Sequence, residues 1–160
     1  MRVFVPATLP LLVRWHAARV IDAPLGFAVT PALREWYAAG DAEELEYVAL
    51  IHAAHESLRL LTADPDAPAR RIVVAADAER AVPDAGVGPA AVRLATPLPL
   101  QRVAAVHADT AEEPVVRAAV AAIGAADAGG LHVQSSLDEA EAVELSWYAT
   151  QEIPDLLAGP

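Results

Sequence analysis

The sequence predicts an α+β fold: a two-layer sandwich with helices on one face of a mixed or antiparallel sheet. Its expected core is ferredoxin-like, with extra helices inserted after the first strand. Three observations predict it. The elements run strand, several helices, three strands, helix, strand, which is not the strict alternation of a parallel α/β fold. Residues 41–62 combine a capping-box start with helical apolar spacing. Residues 143–149 alternate apolar and polar, as a half-buried antiparallel strand does. With 160 residues, no internal repeat and no linker-like stretch, the chain reads as a single α+β domain over 1–160.

Residues 2–6 read as a first strand ended by Pro6, and Thr8 is placed to cap a helix over about 9–19, with Pro10 tolerated in its first turn. After a loop through Asp22, Pro24 and Gly26, Thr30-Pro31 is an N-cap followed by a proline at the first helical position. That short helix carries Leu33, Trp36 and Tyr37 on one side and stops at Gly40. Asp41 and Glu44 then open the long helix, for which Tyr47, Leu50, Ile51, Ala54, Leu58 and Leu61 form the expected buried stripe. His52, His55, Glu56 and Arg59 lie on its other side.

Strands are expected at 71–76, 91–95 and 103–108, with a surface loop over 77–90. Pro97 and Pro99 exclude a regular central strand between the last two. A helix starts between Thr110 and Pro114 and runs to about Ala126, Gly129-Gly130 mark a turn, and 138–141 is an acidic connection, either helical or irregular. On the final strand, Val143, Leu145 and Trp147 are expected inward, with Glu144, Ser146 and Tyr148 outward. A helical turn from Thr150 to Leu157 closes the chain.

Composition removes whole classes of chemistry. The chain has no cysteine, no lysine and no asparagine. Thiolate catalysis, disulfides, sulfur-ligated metals, lysine Schiff bases and a P-loop lysine are therefore excluded. A net charge of −11 repels phosphate backbones and anionic lipid, so neither nucleic acid nor membrane is an expected partner. Arg70 and Arg71 are adjacent, but two charges make a thin basic footprint. The apolar run Val3–Val13 is broken by Pro6 and Pro10 and lacks a cleavage site, which fits a cytoplasmic protein better than a secreted one.

Few residues remain that carry chemistry. His52, His55 and Glu56 share a helix face and form a weak metal candidate, weighed against an ordinary solvated face. His107, inside the apolar run 103–108, is either a general base or a hydrogen-bonded structural histidine. The serines lack a nucleophile elbow, Gly86-Val87-Gly88 runs into Pro89, and no cofactor-binding fingerprint is present. With eight aromatic residues in all, the adjacent pairs Trp36-Tyr37 and Trp147-Tyr148 stand out. Tyr148 either faces outward as a partner surface or packs under the C-terminal segment.

The opening MRVFVPATL, the stretch FAVTPALREWYAAGDAEELEY and the closing ELSWYATQEIPDLL together resemble a group of short actinobacterial proteins that constitute a domain of unknown function. The resemblance spans nearly the whole chain, with its most distinctive words at 1–9, 27–47 and 144–157. It implies an actinobacterial, cytoplasmic origin and supplies no activity, no catalytic residue and no cofactor.

The leading functional reading is a non-enzymatic protein-interaction or regulatory module, with a protein partner or a second copy of itself as a homodimer. Its expected face is Glu144, Ser146, Tyr148, Thr150, Gln151 and Glu152, with His107. The competing reading is a small-molecule-binding protein or enzyme that uses His107 and Tyr148, with Glu144 or Glu152, for acid–base chemistry.

Overall fold

The computed structural model describes residues 1–94, 97–126 and 133–158. Nine strands and six α-helices follow in order: β1 Arg2–Ala7, α1 Leu9–Ala18, β2 Val20–Ile21, β3 Leu25–Phe27, α2 Pro31–Trp36, α3 Ala42–Ala63, β4 Ile72–Asp77, β5 Ala81–Pro83, β6 Ala91–Leu94, β7 Leu98–Pro99, β8 Val103–Ala108, α4 Pro114–Ala126, α5 Val133–Glu141, β9 Ser146–Ala149 and α6 Ile153–Ala158, among the described residues. Seven strands form one sheet in the order β5-β6-β3-β1-β4-β8-β9, antiparallel at every neighbouring pair. The α+β class therefore holds, and the sheet is of the antiparallel kind. Strands β3 and β4 are both antiparallel to β1, hence parallel to each other, and α2 and α3 connect them with β1 in between. That is a split βαβ unit of the ferredoxin-like type.

Helix α3 supplies the main helical layer. Asp41 Oδ1 accepts from the Glu44 N–H and Glu44 Oε2 accepts from the Asp41 N–H, so the expected capping box forms. The buried stripe is turned from the expected one in the first half of the helix: Leu45, Ala49 and Ala53 face the sheet with Ala54, while Tyr47 is exposed and Leu50 and Ile51 sit at the margin. Small alanines permit close approach to Phe4, Phe27, Val73 and Ala75, and the larger side chains that dominate an apolar pattern are pushed to the flanks. Farther along, Leu58 and Leu61 pack as expected, against Val116 and Ala119 of α4 and Ala140 of α5. Trp36, expected beside Leu33, is 73% exposed.

The helical face foreseen from sequence corresponds to α2–α5. Strand β1 is apolar on both sides, and its second face needs cover too. Leu12 and Trp15 of α1 and Ile153 and Leu156 of α6 provide it over Val3, Val5, Ile72, Val74 and Val106. Beside them lies the two-stranded ribbon β2–β7, so Pro99 is in a strand outside the main sheet. Pro6 does not end β1 but pairs with Val73. It is tolerated there because β1 and β3 pair through Phe4 and Phe27, leaving no ladder bond on the β3 side at Pro6.

Two buried polar groups tie the layers together. Ser57 of α3 donates to the Ala7 carbonyl at 2.7 Å and accepts from the Ile72 N–H at 3.1 Å, locking the helix to the ends of β1 and β4. Arg70 and Arg71 are both buried, so they form no basic surface patch. Arg71 is bound by Asp109 and donates to the Ala140 and Val143 carbonyls, both at 2.8 Å. The expected Gly129-Gly130 turn and His132 lie outside the described residues. Among the described residues, no helix is long and apolar enough to cross a membrane.

Candidate functional site

Strand β8 and the sheet's terminal strand β9 are paired Ala105↔Ala149, Val106↔Tyr148, His107↔Trp147 and Ala108↔Ser146. Residues directly opposite in an antiparallel pair point to the same face. His107 therefore shares its face with Trp147, and Val106 shares the other with Tyr148. Val106 belongs to the core under α1 and α6, and Tyr148 packs partly buried against that core. Trp147 is 61% exposed. The expected inward and outward sides of β9 are thus exchanged. Alternation defines two faces without saying which one is buried, and the apolar Val106 and Ala108 opposite decide it.

This exchange divides the residues expected to act together. Ser146 and Tyr148 lie on the α6 side of the sheet, and His107 lies on the α3 side. His107 and Tyr148 are therefore separated by the sheet and do not share a reaction centre. Thr150, Gln151 and Glu152 form an exposed 3-10 turn after β9, in which Glu152 Oε2 accepts from the Ala149 N–H at 2.7 Å. Glu144 precedes β9 and lines a neighbouring hollow with Tyr47, Leu50 and Leu145.

What the structure does assemble is an open trough of about 300 Å³ on the α3 side. Phe4, Ala75, Ala105 and His107 floor it, Trp147 stands at one wall, and Arg2 lies at its margin. The opposite wall is one face of α3, formed by Glu43, Glu46, Tyr47 and Leu50 at the i, i+3, i+4, i+7 spacing of a single helical stripe. The His107 ring is tilted 58° to Phe4 with centroids 6.4 Å apart. Burial, and then the Arg2 guanidinium, push the His107 pKa down, so its imidazole is neutral at neutral pH. Arg2 itself is held by Asp77, Nε to Oδ1 at 3.0 Å. The Glu43 and Glu46 side chains make no ion pair or hydrogen bond with any described residue.

The metal candidate does not assemble. His55 Nε2 lies 3.3 Å from Glu141 Oε2, off the line of a hydrogen bond, while Glu56 pairs with Arg59 at 3.7 Å. The His52 ring packs edge-on against Phe27 at 6.1 Å. Among the described residues, no group of three His, Cys, Asp or Glu is placed to hold a metal ion.

Sequence reasoning found His107 but missed Phe4, Tyr47, Glu43, Glu46 and the exposure of Trp147. The stripe 43, 46, 47, 50 was the available signal, masked because Tyr47 and Leu50 read as core. Compared with known proteins, residues 1–157 match the sequence model of a family of unknown function, DUF6912. No curated protein and no solved structure matches the chain.

Proposed function

We propose, for a chain that belongs to the DUF6912 family of unknown function, a single-domain, cytoplasmic and non-enzymatic protein-interaction module that acts through the sheet face beyond α3. The observation that carries this reading is Trp147: a large aromatic left mostly in solvent on the terminal strand of the sheet, beside the trough over His107. An exposed tryptophan at an unpaired strand edge is costly to keep in a monomer and useful at an interface, where such residues anchor partners. The trough adds two further aromatic surfaces, Phe4 and Tyr47.

The acid–base alternative has less support. Among the described residues His107 makes no hydrogen bond to a carboxylate, and Tyr148 lies across the sheet. A second copy of the chain is also a poorer occupant, because two surfaces of a protein with net charge −11 repel one another. The test is a photo-crosslinking residue placed at position 147, with position 87, also exposed, as control, in cells that make the protein naturally. A discrete adduct with another protein from 147 and none from 87 is expected. No adduct from 147, or the same adducts from both positions, overturns the reading.

A further inference from the structure

Resting on that reading, we infer that the occupant of this face is an extended segment of a basic partner protein, laid along the free edge of β9 with an arginine or lysine side chain in the trough between Tyr47 and Trp147. The terminal strand has β8 as its single strand neighbour among the described residues. Its outer edge offers backbone donors and acceptors to an added strand, the usual mode of β-augmentation, as far as Ala149, whose N–H Glu152 Oε2 already holds. Side chains of an added strand alternate between faces, so every second one points to the α3 side, where a long arginine or lysine reaches across Trp147 into the trough over β8.

Charge selects the partner. Glu43 and Glu46 on the α3 wall are without ion-pair partners among the described residues, and Glu144 and Glu152 flank the two ends of β9. Arg2 is the cation lining the trough, and Asp77 already neutralises it. An incoming guanidinium or ammonium thus meets unpaired carboxylates and the faces of Tyr47 and Trp147, a combination that favours cations by both Coulomb and cation–π attraction. His107 adds no opposing charge at neutral pH, since burial keeps it unprotonated. The same charges disfavour a nucleic acid or a second copy of this chain.

The test uses the whole purified chain and two extended peptides of equal length, one alternating valine with arginine and the other valine with glutamine. Binding is followed by fluorescence anisotropy of the labelled peptide and by backbone amide shifts. The arginine peptide is expected to bind, to shift the amides of 146–149 and 107, and to weaken as salt rises. The paired substitution Glu43→Gln/Glu46→Gln is expected to lower its affinity about fivefold to tenfold. Asp22→Asn/Asp66→Asn, the same charge change at two other exposed sites, is expected to leave it unchanged. Equal binding of both peptides, or an affinity insensitive to Glu43→Gln/Glu46→Gln, overturns the cationic occupant while edge docking survives. If neither peptide moves the β9 amides, the inference falls, and crosslinking at position 147 decides the module reading separately. A doubled solution mass without peptide, lost on Trp147→Ala, names a second copy instead and overturns it.

Discussion

Arg71 and Asp109 meet as a bidentate pair, Nη2 to Oδ1 at 2.8 Å and Nε to Oδ2 at 3.0 Å, with only 3% and 1% of their side chains exposed. The Asp109 carboxylate also accepts the Arg71 backbone N–H at 2.8 Å. The guanidinium in turn holds the Ala140 and Val143 carbonyls, so a single charge pins the start of β4, the loop after β8, the end of α5 and the approach to β9.

Removing one partner leaves a buried, uncompensated charge. Asp109→Ala is expected to cost about 3–5 kcal/mol. The double variant Arg71→Met/Asp109→Ala removes both charges and is expected to cost less than Arg71→Met and Asp109→Ala combined. It still leaves two carbonyls without donors, each worth roughly 1–3 kcal/mol. Urea denaturation of the four proteins measures the cycle; an Asp109→Ala protein as stable as the parent contradicts it.

Ser57 is the second buried polar link. Its replacement by alanine deprives the Ile72 N–H and the Ala7 carbonyl of partners in a site closed to water. The expected loss is about 1–3 kcal/mol, seen as a lower urea midpoint at unchanged m-value.

Exchange of the two β9 faces reverses the expected effects of its aromatic residues. Tyr148→Ala opens a hole against the α6 core and is expected to destabilise by roughly 1–3 kcal/mol. Trp147→Ala, mostly in solvent, is expected to stay within about 0.5 kcal/mol of the parent. Thermal melts of the two variants decide this; a larger loss for Trp147→Ala contradicts the assignment of faces.

Two histidines give stability a pH dependence of known sign. His107 is pushed below its ordinary value of 6.5 by burial and then by Arg2. His52 is pushed below 6.5 by burial and then by His55, against an upward pull from Glu141. The unfolded chain therefore binds protons more readily than the folded one, and stability falls as pH drops through 6.5 toward the folded-state values. His52→Gln/His107→Gln is expected to flatten the pH dependence in that window. Glu112 acts lower down: the Ala69 N–H, opposed by desolvation and helped by Arg117, holds its carboxyl below 4.5. Its contribution is present above 4.5 and is lost as pH falls below that value. Denaturation midpoints across the two ranges, with and without the histidines, separate the contributions.

Where local chemistry determines structure, the sequence was readable. The Thr30-Pro31 start of α2, the Asp41–Glu44 box of α3, and strands β4, β6 and β8 all follow from residues adjacent in the chain. Strands β2, β3, β5 and β7 hold two or three residues each and are too short to display a period. The Arg71–Asp109 pair joins positions 38 apart, beyond any local pattern. In α3, alanines carry the sheet contact but weigh little in an apolar count, so helical spacing alone puts Tyr47 in the core and hides the trough wall. For β9, the alternation was visible, but its phase depended on β8.

The place of β1 also affects how the protein is made. This strand precedes all its sheet neighbours in the chain, yet it lies between β3 and β4, and β4 ends at Asp77. At about 5–20 residues per second, ribosomal synthesis leaves an apolar strand with an open edge for several seconds before β4 emerges. During that interval its sticky surface is available to other nascent chains or to a chaperone. The yield of folded protein should therefore depend on translation speed between residues 27 and 77 more than on speed through the rest of the chain.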